Sequence, residues 1–143
     1  YVDPYIKLKT FFAYDENNQR FGDMFIIITY KDIDILFTTD NSIKEQSYFL
    51  EYFKANPDVG ISIRDIDVLQ YPNIHYSENI FPEFIENLKP KYLIVGQKAI
   101  FNDSFIDMNV WKTFNKNKFY VKYINKDSSL TMITDGKKVK FRR

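Results

Sequence analysis

The chain has 143 residues, of which 45% are hydrophobic and 18% aromatic, and its formal net charge is +1. A chain of this length can bury the core of one domain, which excludes disorder and fibrous repeats, and we predict a single domain over residues 1–143. It contains no cysteine, which excludes disulfides, thiolate catalysis and cysteine metal sites. No apolar run reaches the roughly 20 residues of a membrane span, so we expect the chain to be soluble by itself.

The first strong pattern predicts a β-hairpin. Residues 24–30 and 33–38 are apolar, β-rich runs joined by the two-residue turn Lys31-Asp32. The first run is almost continuously apolar, which favours a place in the middle of a sheet that is covered on both faces.

A helix is predicted directly after this hairpin. Ser42 and Glu45 have the spacing of a capping box, which marks the beginning of a helix. The apolar residues that follow recur at helical spacing until Asn56-Pro57, which ends the helix.

The rest of the chain predicts an alternation of strands and helices. Pro82 can begin a helix and Gly96 can stop a strand, while Asp135-Gly136 is typical of a hairpin turn. This order, finished by an antiparallel meander, indicates an α/β domain with a mixed sheet. The predicted strands are 65–69, 92–95, 119–124, 129–134 and 138–141, and the predicted helices are 82–88 and 105–114.

Charge is distributed unevenly along the chain. Residues 1–109 carry 10 Lys+Arg against 17 Asp+Glu, whereas residues 110–143 carry 10 against 2. A basic end of this kind is typical of a surface that binds polyphosphate, and it is equally typical of a solvated face that balances an acidic half. The candidate nucleic-acid-binding residues are Lys118, Lys122, Lys138, Lys140, Arg142 and Arg143.

Few residues are candidates for chemistry. Asp40 directly follows a predicted buried strand, where α/β sheets place ligand groups, so it could hold a metal ion or orient a water. A turn residue before the helix is the more common role of an aspartate at such a position. His75 is the only histidine, so this chain cannot complete a site that needs two. Asp65 and Asp67 are either a carboxylate pair or charges at a strand edge.

Four segments, in order, resemble a known family. Residues 24–40 end in T-T-D where the family has T-G-D, and residues 65–77 are similar to a segment that contains D-V-L-K-V-G-H-H-G-S. Residues 81–96 match a helix followed by K-P-K-Y and an apolar strand, and residues 129–141 match a closing hairpin with a D-G turn. The set resembles the second half of the metallo-β-lactamase-fold domain of the ComEC family of competence DNA-uptake proteins.

The resemblance implies a fold and a metal site. The fold is the second half of an αββα sandwich, a mixed sheet with helices packed on it. The T-G-D aspartate, Asp40 here, would be the catalytic and metal-binding carboxylate, and His75 would be a second ligand. The first histidine of the family's pair is replaced in the region of Asn73 and Ile74, which puts catalysis in doubt. The complete domain would hold a divalent metal such as Mn or Zn; this chain alone is expected to hold none.

The resemblance also implies partners and a location. The chain would be an outward-facing domain of a bacterial cell-membrane protein, attached to that protein's membrane channel portion and acting on single-stranded DNA. The first residue is Tyr1, not methionine, and we expect the chain to be cut from a longer protein. We also expect the face normally covered by the missing N-terminal half to be buried against that half or against a second copy of this chain.

Three functions remain open on the sequence. The domain could degrade the DNA strand that is not transported during natural transformation. It could bind DNA without cleaving it, through the basic end with Tyr120, Tyr123 and Phe141. It could also be a structural domain that packs against the rest of a membrane protein.

Overall fold

The computed structural model describes residues 3–39, 41–57, 66–71, 81–96, 120–124 and 129–142. The predicted helix over 105–114 lies outside these residues. The described elements, in chain order, are β1 (Ile6–Tyr14), β2 (Arg20–Tyr30), β3 (Ile33–Phe37), α1 (Ile43–Ala55), β4 (Val68–Gln70), α2 (Pro82–Leu88), β5 (Tyr92–Gly96), β6 (Tyr120–Ile124), β7 (Thr131–Thr134) and β8 (Val139–Arg142).

Six of these strands form one mixed sheet, in the order β1-β2-β3-β4-β5-β6. The first three strands pair antiparallel, and β3, β4, β5 and β6 pair parallel. The prediction of a mixed α/β fold is therefore confirmed, and the predicted interior position of residues 24–30 is confirmed because β2 lies between β1 and β3. The sequence analysis did not predict β1, which pairs with β2 along its length.

Both described helices pack on one face of the sheet. Their bounds confirm the predictions, since α1 begins after the N-cap Ser42 and ends at Ala55 with Asn56 as its C-cap, and α2 begins at Pro82. The ring of Phe49 in α1 lies 4.5 Å from that of Phe25 in β2, measured between ring centroids. The apolar side chains that α1 and α2 bury against this face form the main core, whose sheet members include Phe25, Ile27, Leu36, Leu69, Leu93 and Val95.

The opposite face of the sheet is covered in part by the β7–β8 hairpin. The predicted meander is wrong here, because β6 joins β5 in parallel and β7 and β8 form a separate two-stranded sheet. The physical reason is that the apolar face of the hairpin and the apolar second face of the sheet are both removed from water when the hairpin packs on the sheet. The hairpin residues Met132, Val139 and Phe141 pack with Ile33, Ile35 and Val68 of the sheet.

The turn of this hairpin is attached to the turn between β2 and β3. Asp32 donates its backbone N–H to the carbonyl of Gly136 at 3.1 Å, and the Lys31 ammonium reaches the carbonyl of Asp135 at 3.4 Å. Gly136 has a φ of +88°, which confirms the predicted Asp135-Gly136 turn. The hairpin turn therefore lies at the end of the sheet where β3 begins.

Part of the second face is not covered within the described residues. Leu8 and Ile6 in β1 lie opposite Ile28 and Tyr30, and 64% and 43% of their respective surfaces are exposed. This strip is an exposed apolar surface within the described residues, and the predicted interface stays a prediction.

Candidate functional site

The parallel strands β3, β4, β5 and β6 end at a common edge of the sheet, which we call the carboxyl edge. It carries Thr38, Thr39 and Asn41 after β3 and Tyr71 after β4. α/β sheets bind their ligands beyond the carboxyl ends of parallel strands. The first candidate site is therefore built at this edge.

Thr38 fixes the end of β3 to the end of β4. Its backbone N–H donates to Gln70 Oε1 at 3.2 Å, and its hydroxyl donates to the Gln70 carbonyl at 2.8 Å. Thr38 is completely buried. The segments that leave these two strands consequently start from neighbouring, fixed points.

Thr39 has an unusual backbone conformation for its residue type. Its φ is +46°, in the left-handed region that a β-branched residue seldom adopts and that glycine adopts without steric cost. Its hydroxyl donates to the carbonyl of Met24 at 3.1 Å, which helps to hold the turn against β2. Thr39 is the position at which the family motif has a glycine.

The two proposed metal ligands, Asp40 and His75, lie outside the described residues. Among the residues that are described, no group of three or more His, Cys, Asp or Glu side chains could hold a metal ion. The hydroxyls of Thr38 and Thr39 are both engaged with backbone carbonyls. The described part of the carboxyl edge therefore does not form a metal site by itself, and we derive no reaction step through a metal.

Asn41 is a buried polar residue directly before Ser42, the N-cap of α1. Its backbone N–H donates to the Thr38 carbonyl at 3.1 Å, and its carbonyl accepts from Gln46 Nε2 at 2.9 Å. Its side chain is 0% exposed, and within the described structure neither atom of its amide has a hydrogen-bond partner. A buried amide without partners costs about 1–3 kcal/mol, so this edge contains an unused polar group next in sequence to Asp40.

The beginning of α1 is fixed by Glu45. One carboxylate oxygen accepts from the backbone N–H of Ser42, which completes the predicted capping box, and the other accepts from that of Asp23 at 2.7 Å. Gly22 makes room for this carboxylate, because a Cβ at Gly22 would lie 1.3 Å from Glu45 Oε1. Glu45 thus connects α1 to β2 beside the carboxyl edge.

Tyr71, which follows β4, is a buried tyrosine with a shifted pKa. Burial raises the pKa of its hydroxyl well above the usual value, and the backbone of Phe81 acts in the opposite direction. Tyr71 belongs to the main core and is 2% exposed. It is a packing residue of the edge, and we assign it no catalytic role.

Asp67 belongs to the opposite end of the sheet. Its carboxylate accepts from the backbone N–H of Asp34 at 3.1 Å, and its own N–H donates to the Asp34 carbonyl at 3.0 Å. These bonds support the prediction of a strand-edge charge. Asp65 lies outside the described residues, so the proposed carboxylate pair stays a prediction.

The second candidate site is the outward face of the β7–β8 hairpin. Lys140 lies opposite Ile133 and Arg142 lies opposite Thr131, and all four side chains are exposed. Lys138, next to the turn, is exposed as well. Lys118 and Arg143 lie outside the described residues, and Lys122 is part of β6. The hairpin therefore gathers three of the six predicted cationic residues on one structural unit.

The aromatic residues proposed to accompany this basic end have different surroundings. Tyr120 is 62% exposed at the beginning of β6. Phe141 is half-buried, and its ring lies 5.1 Å from that of Tyr92. Phe141 consequently supports the hairpin, whereas Tyr120 presents its ring to solvent.

The structure places the two candidate sites at different ends of the sheet. The hairpin turn contacts Lys31, just before β3, and Thr39 follows β3. The five residues of β3 span about 17 Å. The basic hairpin and the carboxyl edge therefore do not form one continuous site within the described residues.

An open groove of about 680 Å³ lies between the β1–β2 turn and α1. Its lining combines the Lys44 ammonium, 4.4 Å from the ring centroid of Phe21, with the carboxylates of Glu16 and Glu51. The sequence analysis missed this groove because it did not predict β1. Its charges are mixed, and we assign it no ligand.

No protein-family model matches the chain, and no curated protein matches it. No helix among the described residues is long and apolar enough to cross a membrane. The ComEC resemblance therefore rests on the residues quoted above, and it enters the following proposal on that basis.

Proposed function

We propose that this chain is the C-terminal part of a metallo-β-lactamase-like domain in a ComEC-like DNA-uptake protein, and that the complete domain degrades the DNA strand that is not transported. The observation that carries the proposal is the left-handed conformation of Thr39, directly before Asp40. The family motif T-G-D has glycine there, and glycine suits this conformation. The backbone is thus consistent with the motif although the residue is threonine.

The arrangement of the strands gives further support. Asp40 follows β3 by three residues and His75 follows β4 by five, and β3 and β4 are neighbours whose ends are joined through Thr38 and Gln70. A carboxylate and an imidazole that leave adjacent strand ends can converge on one ligand. A divalent metal bound there would supply Lewis acidity toward a phosphodiester and would lower the pKa of a bound water.

Within this proposal the described residues would support the segment that carries Asp40. Thr38 holds the end of β3, Thr39 turns the chain toward Asp40, and Glu45 fixes the helix that follows. One aspartate and one histidine are too few ligands for a two-metal hydrolytic site, so the complete domain must supply the others.

Cleavage of labelled single- and double-stranded DNA tests the proposal on the longest polypeptide that contains this region, in Mn²⁺, Mg²⁺ or Zn²⁺. We expect metal-dependent cleavage that Asp40→Asn abolishes. The matched control is Asp32→Asn, an exposed aspartate at the other end of β3, which should cleave as the unchanged protein does. Equal cleavage by the Asp40 and Asp32 variants would contradict the role of Asp40.

A second candidate function is DNA binding without cleavage, and the exposed cations of β8 favour it. Lys140 and Arg142 should contact phosphates, which makes affinity fall steeply with salt. The double variant Lys140→Glu/Arg142→Glu should lower the affinity and reduce the salt slope by about one unit per lost contact. The control Lys7→Glu/Lys54→Glu makes the same charge change on exposed residues of β1 and α1. Fluorescence anisotropy of labelled DNA measures both, and a flat salt response would contradict this function.

A further inference from the structure

Three aromatic rings form a series that begins under the β7–β8 hairpin and ends in solvent. The ring of Phe141 in β8 lies 5.1 Å from that of Tyr92 in β5, with 63° between the ring planes. The ring of Tyr92 lies 5.5 Å from that of Tyr120 in β6, at 32°. Tyr120 is the outer member of this series, and 62% of its surface is exposed.

An exposed tyrosine alone does not indicate a ligand, because single apolar side chains are common on protein surfaces. Tyr120 differs because Tyr92, its direct partner in the register of β5 and β6, supports its ring. A ring that is already held in place loses little conformational entropy when a ligand stacks on it. The solvent side of Tyr120 is therefore a prepared stacking surface.

Positive charge lies close to this series in the chain. Phe141 is flanked by Lys140 and Arg142, whose side chains are exposed on the other face of the hairpin. Alternate residues of a strand are about 6.8 Å apart, so these two cations lie in a row. Lys138 lies next to the turn, before β8 begins, so Lys140 and Arg142 are the cations of β8.

Stacking rings combined with a row of cations is the usual arrangement for binding single-stranded nucleic acid. In a duplex the bases are already paired and stacked, so an aromatic ring at the surface reaches only the backbone. We propose that Tyr120 stacks on an unpaired nucleobase while Lys140 and Arg142 contact the adjoining phosphates. This inference rests on the DNA-binding function proposed above, and it adds the residues that would favour a single strand over a duplex.

The test measures the affinities of the full chain and its Tyr120 variants for two labelled DNA ligands. One is an oligothymidylate of about 12 nucleotides, which is within the usual range of single-strand site sizes, and the other is a duplex of the same length. Tyr120→Ala should weaken single-strand binding about 5- to 100-fold, whereas Tyr120→Phe, which keeps the ring, should bind as the unchanged chain does. The matched control is Tyr5→Ala, because Tyr5 is 61% exposed beside β1, at the other edge of the sheet. Circular dichroism verifies that each variant is folded.

The outcomes separate this inference from the function on which it rests. If Tyr120→Ala binds the single strand as tightly as the unchanged chain while Lys140→Glu/Arg142→Glu binds more weakly, the stacking role is wrong and DNA binding by charge remains. If Tyr120→Ala loses the same factor for single strand and duplex, the single-strand specificity is wrong. If the unchanged chain binds neither DNA, both the inference and the DNA-binding function are refuted.

Discussion

Substitution of Thr39 separates a backbone preference for glycine from the contribution of the threonine hydroxyl. The left-handed conformation of Thr39 costs about 1–2 kcal/mol for a residue with a Cβ. Thr39→Gly removes this cost, but it loses the hydroxyl bond to the Met24 carbonyl, which contributes about 1 kcal/mol. Glycine also gives the unfolded chain more conformational freedom, which lowers stability by about 1 kcal/mol. We expect these contributions to cancel to within about 1 kcal/mol in the free energy of unfolding.

Thr39→Val should behave differently although it resembles threonine in shape. Valine keeps the strain of a β-branched residue and loses the hydroxyl bond, so the free energy of unfolding should fall by about 1–2 kcal/mol. Urea denaturation followed by circular dichroism measures both variants against the unchanged chain. If glycine destabilises the protein as much as valine does, position 39 is not left-handed in solution and the comparison with the T-G-D motif loses its structural support.

Three further predictions concern the surroundings of the two sites. Gly22→Ala should reduce the free energy of unfolding by about 2–4 kcal/mol, because its φ is +69° and its Cβ would displace the Glu45 carboxylate from two backbone hydrogen bonds. A Cβ at Gly136 would lie 2.5 Å from Cδ and 2.8 Å from Cβ of Lys31, whose ammonium makes one long hydrogen bond of 3.4 Å, so Gly136→Ala should cost less; equal losses in urea denaturation would refute the role of Glu45. Because burial raises the pKa of Tyr71 above 10, the stability contributed by its neutral hydroxyl is complete below pH 10 and falls by up to about 1.4 kcal/mol per pH unit above it. Tyr71→Phe should remove this fall, and an unchanged slope of the unfolding free energy against pH would contradict it. Hydrogen bonds from the backbone of Lys137 and Lys138 lower the pKa of Asp135. The stability that these bonds give to the turn is therefore complete above the ordinary aspartate pKa and is lost as pH falls through the lowered pKa; an NMR titration of Asp135 with an ordinary midpoint would contradict this.

The sequence predicted those elements whose patterns are local. Ser42, Asn56 and Pro82 mark helix boundaries through capping and proline chemistry, and the structure places both helices accordingly. The hairpin of β2 and β3 followed from two apolar runs with a two-residue turn. Local signals of this kind depend on neighbouring residues alone.

Pairing between distant strands was predicted less well. β1 alternates residues such as Leu8 and Lys9, which is a strand pattern, but it lies at the sheet edge and lacks the long apolar run that marks β2. The parallel pairing of β6 with β5 depends on a crossover between them, and nothing in the sequence of Tyr120–Ile124 encodes it. The meander prediction failed for this reason.

The sites were predicted as residue types and positions, without their surroundings. The left-handed turn at Thr39 depends on how β3 ends against β2 and β4, and so does the buried amide of Asn41, which has no partner among the described residues. The separation of Lys140 from the carboxyl edge depends on where the hairpin docks. These features arise from tertiary contacts, which a pattern of residue types does not contain.

Metal-dependent cleavage of single-stranded DNA by the longest polypeptide that contains this region tests the central claim most directly, with the unchanged protein, Asp40→Asn and Thr39→Gly measured side by side. Thr39→Gly restores the T-G-D motif, so the account predicts cleavage by this variant at least equal to that of the unchanged protein, and none by Asp40→Asn. Absence of cleavage by all three proteins in every metal, or equal cleavage by all three, would contradict the proposal that this edge of the sheet is a nuclease site.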